Sequence, residues 1–384
     1  MYLFGYDIGS SSIKASWLDV VSGYLAASAT SPDREMEITA ARPGWAEQNP
    51  ETWWTHVRHV TNDILNESHV VPENIAAIGI SYQMHGLVVV DKHHKALRPS
   101  IIWCDSRAVE IGRKAFREIG EKICLSRLLN SPGNFTASKL RWVRDNEPEI
   151  FARIHKAMLP GEYIAMKMTG EIVTTPSGLS EGIMWDFISG GISDTVLDYY
   201  GIPREIIADV RPTFSLQGEM TASAASELGL RPGIPISYRA GDQPNNALSL
   251  KVINPGDVAA TAGTSGVVYG VSDKTDYDAQ SRVNPFVHVS HRPERPRYGV
   301  LMCINGTGIL NSWMKHNCVS DNMNYDTMNE LARSVPAGSD GLIVIPFGNG
   351  AERTLGDRDI GAGVYGLRLD RKSTRLNSSH RIRS

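Results

Sequence analysis

The sequence predicts an α/β protein made of two related lobes, and two observations carry that prediction. Residues 1–90 alternate short apolar strand signals with helix signals, the pattern of a sheet covered by helices. The strand, glycine-hydroxyl turn, strand unit that opens the chain then recurs, with Gly263-Thr264-Ser265-Gly266 standing where Gly9-Ser10-Ser11-Ser12 stood. Composition agrees, since 41% hydrophobic and 21% charged residues in a chain of 384 suffice for a sizeable core.

Each element has a local reason. Tyr2 to Asp7 and Ile13 to Leu18 are apolar strands joined by the Gly9–Ser12 turn. Asn49-Pro50-Glu51 opens a helix with a capping side chain, a proline suited to the first turn and an acid at the positive end. Within that helix Trp53, Val57, Val60 and Ile64 share one face, which predicts burial. Ile75 to Ile80 is a continuous apolar strand, suited to a sheet covered on both sides, and Leu87 to Asp91 is another strand. Ser193-Asp194 caps a helix that carries Val196, Leu197 and Tyr200 and stops at Gly201. Ile234 to Tyr238 is a strand ending at Gly241-Asp242, and a helix is expected from Gln243-Pro244 through Leu250. Asn254-Pro255-Gly256-Asp257 is the strongest turn in this half and marks a boundary, after which Val258–Thr261 and Val267–Tyr269 are strands. Residues 371–384 are rich in Lys, Arg and Ser, lack carboxylates and show no period. They read as a non-native tail.

Whole classes of function are disfavoured. A net charge of −3 offers no global field to nucleic acid or an anionic membrane. No apolar run approaches the roughly 18 residues of a membrane span. The first residues reach Asp7 without a basic region, so no signal peptide is expected. Cys104, Cys124, Cys303 and Cys318 are scattered, which argues against a disulfide framework or zinc ribbon and for a reducing cytoplasm. Walker A and His-Glu-x-x-His sequences are both missing.

Several segments are suited to chemistry. The turn at Gly9–Ser12 can aim backbone N–H groups at one anion, and Asp7 just before it can hold Mg²⁺ through water. The Gly263–Gly266 turn offers a second such cradle. Asp242 follows a strand and adjoins a helix start, so it reads either as a helix cap or as a general base at a strand end. Gln83-Met84-His85-Gly86 supplies directional polar groups beside an apolar wall. Trp103-Cys104-Asp105-Ser106-Arg107 sets an indole beside a carboxylate and a guanidinium, which suits a polyol. For each, the plain alternative is a residue chosen for turn geometry or core packing.

Taken in order, these segments resemble the FGGY family of carbohydrate kinases, within the actin-like ATPase superfamily, over about residues 1–370. Asp7-x-Gly9-Ser10-Ser11-Ser12-x-Lys14 is similar to its first phosphate loop, and Ala262-Gly263-Thr264-Ser265-Gly266 to its second. Trp45-x-Glu47-Gln48-Asn49-Pro50-Glu51-x-Trp53-Trp54 resembles its tryptophan-rich segment. Gln83-Met84-His85-Gly86 and Trp103-Cys104-Asp105 resemble its sugar-contact loops, and Gly241-Asp242 its catalytic aspartate. Glu352-Arg353-Thr354 is similar to its Gly-Glu-Arg-Thr-Pro, with Ala351 and Leu355 in place of the flanking Gly and Pro. Cys104 stands where a polar residue is usual, and Gln243-Pro244 where Asn-Ala is common.

The resemblance implies two actin-like (ribonuclease H-like) lobes with the site in a central cleft. It places a sugar-binding and catalytic lobe at residues 1–252 and a nucleotide lobe at 253–370. That second lobe is expected to be incomplete, because the family's glycine-rich adenosine segment has no counterpart here. The implied reaction moves the γ-phosphate of ATP to D-xylulose, with ribulose or gluconate as alternatives, and a non-catalytic sugar-binding protein as the other class. Asp242 is implied as base. Gln83, Met84, His85, Trp103, Asp105 and Asp242 would hold the sugar, and Asp7 would orient Mg²⁺. Asp7, Gly9, Ser10, Ser11, Ser12, Lys14, Gly263, Thr264, Ser265 and Gly266 would hold the nucleotide phosphates. Partners are a small sugar and ATP, with no nucleic acid or membrane, and a homodimer stays open.

Overall fold

A computed structural model describes residues 1–67, 71–263, 265–319, 323–348, 352–356, 358 and 360–367, and the backbone of two further strands, Thr374–Leu376 and His380–Ile382. Otherwise the tail read at 371–384 lies outside the described residues, as does Thr264. The chain forms two compact units. The first comprises residues 1–257, 271–277 and 285–299; the second comprises 258–270, 278–284 and 300–384.

The first unit is organised by a five-stranded sheet. Its strands are β1 (Tyr2–Ile8), β2 (Ile13–Asp19), β3 (Leu25–Ser31), β4 (Ile75–Tyr82) and β5 (Ile236–Gly241), in the order β5-β4-β1-β2-β3. β1, β4 and β5 are parallel, β2 returns antiparallel to β1, and β3 is antiparallel to β2. Helix α1 (Pro50–Glu67) covers the sheet with the face expected from its periodicity, for Trp53, Val57, Val60 and Ile64 are all buried. Asn49 Oδ1 accepts the Glu51 N–H at 3.1 Å, as its capping position predicts. Tyr6 reaches across the core to share a 2.7 Å hydrogen bond with Thr61 of α1. This aromatic and aliphatic core includes Phe4, Trp17, Ile78 and Ile80.

A second core in the same unit is helical. It gathers Leu140 and Val143 of α2 (Thr136–Asn146) with Val196, Leu197 and Tyr200 from the helix that ends at left-handed Gly201. Helices α3 (Pro160–Thr169) and α4 (Pro176–Glu181) lead back to the sheet, and α5 (Asp242–Ser249) leaves the end of β5. The last helix starts at Asp242, one residue before the start expected from sequence.

β6 (Val258–Ala262) and β7 (Gly266–Ser272), which lie in the second unit as far as residue 270, form the antiparallel hairpin that the repeat predicts, with Ala262 opposite Gly266. Helix α6 (Thr307–Cys318) and a second hairpin, β8 (Ile343–Phe347) with β9 (Gly361–Tyr365), follow. Among the described residues no helix is long and apolar enough to cross a membrane.

The loop after Ile102 is fixed by a buried ionic and aromatic cluster. Arg107 lies between two indoles, its guanidinium carbon 3.8 Å from the Trp45 ring centre and 4.7 Å from that of Trp142. The same group donates to Asp105 at 2.6 Å and pairs with Glu47 at 2.7 Å. Asp105 is fully buried and also accepts the Ala46 N–H at 2.6 Å. A planar fork satisfies this geometry; an ammonium does not. Arg107→Lys is therefore expected to lower unfolding stability by about 1–3 kcal/mol, because buried acceptors lose partners. Urea unfolding checks this, and an unchanged midpoint would show the cluster to be incidental.

Candidate functional site

Three parallel strands stop in step, and that places the candidate residues. Ile8 of β1 pairs with Tyr82 of β4, and Tyr82 with Gly241 of β5. Beyond these three residues lie the Gly9–Ser12 turn, the Gln83–Gly86 loop and Asp242. One residue further back, Asp7 pairs with Ser81, and Ser81 with Ala240. Asp7 and Asp242 thus share the carboxyl end of a parallel sheet, where ligands gather in α/β proteins.

Asp242 is half-buried, and its carboxyl is pushed up to about 7. Burial is the larger cause, and the charge of Asp7 is the second. The residue that caps α5 is Gly241, so the helix-cap reading of Asp242 is corrected: it is the first helical residue. Its carboxylate accepts the Gln243 N–H. A carboxyl poised near neutrality is suited to proton transfer.

The first turn is braced from three sides. Gly9 N–H donates to the Ser12 carbonyl at 3.2 Å, and the Ser11 carbonyl accepts Met36 N–H at 2.8 Å. Gln48 Nε2 donates to the Ser10 carbonyl at 2.7 Å, while the half-exposed Trp103 donates through Nε1 to Ser10 Oγ at 3.2 Å. Gln48 also accepts from Trp53 Nε1 at 3.1 Å, tying the turn to α1. Lys14, opposite Asp7 across β1 and β2, lies 4.0 Å from its carboxylate. No cluster of three metal-ligating side chains exists among the described residues. The donor set fits Mg²⁺ nonetheless, since that ion is commonly held by one or two carboxylates together with substrate phosphates and water.

The His85 loop is held more tightly than its sequence suggests. His85 is half-buried and has a left-handed backbone, φ 61°. Its N–H donates to Glu181 Oε1 at 3.2 Å, and its Nδ1 lies 3.0 Å from the Glu181 carbonyl. Lys139, wholly buried, donates to the His85 carbonyl at 2.7 Å and to that of Ile102 at 2.9 Å. Burial draws the Lys139 ammonium down to about 7. Phe135 meets the imidazole edge to face at 4.7 Å. Gln83 and Met84 are buried beside it, and Met84 lies against Gly241, where an added Cβ would come within 2.5 Å of Met84 Cγ.

Asp105 departs from its expected role. Both of its oxygens are engaged by Arg107 and the Ala46 N–H, and it has no exposed surface. It therefore holds the loop that presents Trp103 and does not offer a sugar contact.

In the second unit Gly263 N–H donates to the Ser265 carbonyl at 3.1 Å, and Gly266 abuts Thr307 of α6. Ser265 hydrogen-bonds the Cys303 thiol. Glu352 is buried and accepts Asn305 N–H at 3.0 and 3.2 Å, while Arg353 donates to the Ser281 carbonyl and hydroxyl, each at 2.7 Å. This motif braces its unit.

Two features escape the sequence reading. Glu181 is buried among Tyr82, Glu162 and Asp242; its signal is an acid inside the apolar run Leu179 to Trp185. Gly178-Leu179-Ser180-Glu181-Gly182 also has the Gly-x-Ser-x-Gly spacing of a hydrolase elbow. Ser180, however, is buried within α4, donates to the Ser177 carbonyl at 2.8 Å and accepts Val287 N–H at 2.9 Å. It is no exposed nucleophile.

Residues 2–249 match the N-terminal domain of the FGGY family of carbohydrate kinases. The chain belongs to that family and is an ATP-dependent carbohydrate kinase of actin-like fold. It is similar to the xylulose kinase of Staphylococcus xylosus, with 27% identity over 99% of this chain and 76% of the relative. The crystal structure of xylulose kinase from Rhodospirillum rubrum superposes with a TM-score of 0.84 at 27% identity, covering 97% of this chain and 74% of that one. A gluconate kinase structure from Lactobacillus acidophilus superposes with a TM-score of 0.85 at 22% identity, covering 96% and 73%, a likeness of fold alone.

The raised carboxyl of Asp242 has a signed consequence for stability. The fold favours its protonated form, so this contribution is complete below the ordinary carboxylate range and is lost as pH rises through about 7. Asp242→Asn removes that penalty. The melting temperature of the Asn variant should therefore gain on the parent as pH rises from about 4 to 8. A gap independent of pH would contradict the assigned environment.

Proposed function

We propose that the chain phosphorylates a ketose, D-xylulose, with Asp242 as the general base. The observation that carries this reading is the shared strand end: Asp242, the His85 loop and the Gly9–Ser12 turn are placed there by three parallel strands. The sugar hydroxyl gives its proton to a carboxylate oxygen of Asp242 as its oxygen attacks the γ-phosphorus of ATP. The bond from that phosphorus to the bridging oxygen breaks, and ADP leaves. Bound Mg²⁺ would supply charge neutralisation at the phosphates, with Asp7 orienting it through water. The first turn holds phosphate through backbone N–H groups and the Ser10 to Ser12 hydroxyls, with Lys14 nearby, and Gly263, Ser265 and Gly266 make a second such loop. Thr264 belongs to the same assignment but lies outside the described residues.

Met84, His85 and Gln83 supply the apolar wall and the hydroxyl partners of the ketose, and exposed Trp103 offers a stacking surface. A sugar acid would require a cation for its carboxylate. Arg107, the guanidinium of the Trp103–Arg107 segment, is 1% exposed and committed to Asp105 and Glu47. That favours a neutral ketose over gluconate.

Calorimetry with D-xylulose, D-ribulose, gluconate and glycerol tests the assignment, and D-xylulose should bind tightest. His85→Ala should weaken that binding about tenfold, one lost hydrogen bond, and leave nucleotide affinity unchanged. Asp242→Asn should lower phosphorylation about a hundredfold or more while sugar still binds. Tighter binding of gluconate, or near-parent turnover by the Asn variant, would overturn the reading.

A further inference from the structure

The strongest cluster that the proposed reaction leaves unused is a buried acid next to both of its working groups. Glu181 touches the sugar loop and the base helix from one position. Its Oε1 accepts the His85 N–H at 3.2 Å, and its main-chain carbonyl meets His85 Nδ1 at 3.0 Å. Its Oε2 presses on β5 so closely that a Cβ on Gly241 would lie 2.7 Å away. One residue therefore grips both the backbone and the ring of His85 and abuts the residue before Asp242.

We propose that Glu181 is a positioning residue: it clamps His85, in its left-handed conformation, to the start of the Asp242 helix, so that sugar-reading imidazole and base keep one fixed spacing. The proposal rests on the ketose-kinase reading for its consequence in sugar binding. The clamp itself does not.

Three physical arguments support it. A left-handed histidine is costly and persists only where its surroundings over-determine it. Here the N–H is held by Glu181 and the carbonyl by Lys139. Second, a carbonyl at Nδ1 selects the tautomer with hydrogen on Nδ1, which makes Nε2 an acceptor toward a hydroxyl hydrogen. Third, Glu181 is suited to a neutral clamp. Burial, Glu162 and Asp242 all raise its carboxyl well above the ordinary range, partly offset by the His85 N–H and by Tyr82. Arg239 of β5 faces Glu162 and Tyr82, while Lys139 donates to the His85 carbonyl. A neutral Glu181 leaves ionisation to Asp242; an ionised one would oppose it.

Glu181→Ala and Glu181→Gln in the full chain separate positioning from general packing. Hydrogen exchange at the His85 amide needs no ligand: protection should fall about tenfold or more in the Ala variant and be kept by Gln, which retains the acceptor. D-xylulose affinity measured by calorimetry should fall about tenfold in Ala and return to within about threefold of the parent in Gln. Unchanged His85 protection in the Ala variant overturns the clamp, as does a Gln variant as impaired as Ala in both exchange and sugar affinity. If the parent itself binds no ketose, the sugar reading fails, and the clamp stands or falls on the exchange result.

Discussion

The site depends on where three parallel strands end. Because β1, β4 and β5 run side by side in one direction, the residues after Ile8, Tyr82 and Gly241 must emerge together. Strand spacing then fixes how far apart they are, at about 4.8 Å per neighbour. No loop has to be long to reach the site. A special demand falls on Gly241, where Met84 and Glu181 approach closer than any side chain would allow.

That convergence carries an electrostatic cost, which the surroundings limit. Asp7, Asp242, Glu181 and Glu162 are drawn toward one end of the sheet, and buried Arg239 faces Glu162. Ionising every carboxyl there would be strongly unfavourable, and burial raises the carboxyls of Glu162 and Glu181 above the ordinary range. Half-buried Asp242 is raised only to about 7, which leaves it able to ionise near neutral pH. Burial first, and like-charge crowding second, thus set similar groups apart, with Asp242 the one brought to about 7.

Much of this arrangement was legible in the sequence. The buried face of α1, the apolar strands and the repeated hairpin follow from periodicity and turn chemistry, which are local signals. Asp242 and His85 were legible as candidates because each closely follows a strand end. Partnership was not. Asp105 and Arg107 read as sugar-facing because their residue types suit polyols, yet two tryptophans and Glu47, distant in sequence, enclose them. Glu181 escaped because its meaning lies in contacts with residues 85 and 241, which no spacing rule connects. Asp242 reads as a cap from sequence because Gly241 and Asp242 differ by one position at a helix start, and helix ends are defined only to within a residue or two.

The central claim is that Asp242 sits in an environment that brings its proton affinity into the working range of a base. A carbon-13 NMR titration of aspartate carboxyls, with the Asp242 signal assigned by its loss in Asp242→Asn, measures this without substrate. The account predicts a midpoint near 7. A midpoint at the ordinary aspartate value of about 4 would contradict it.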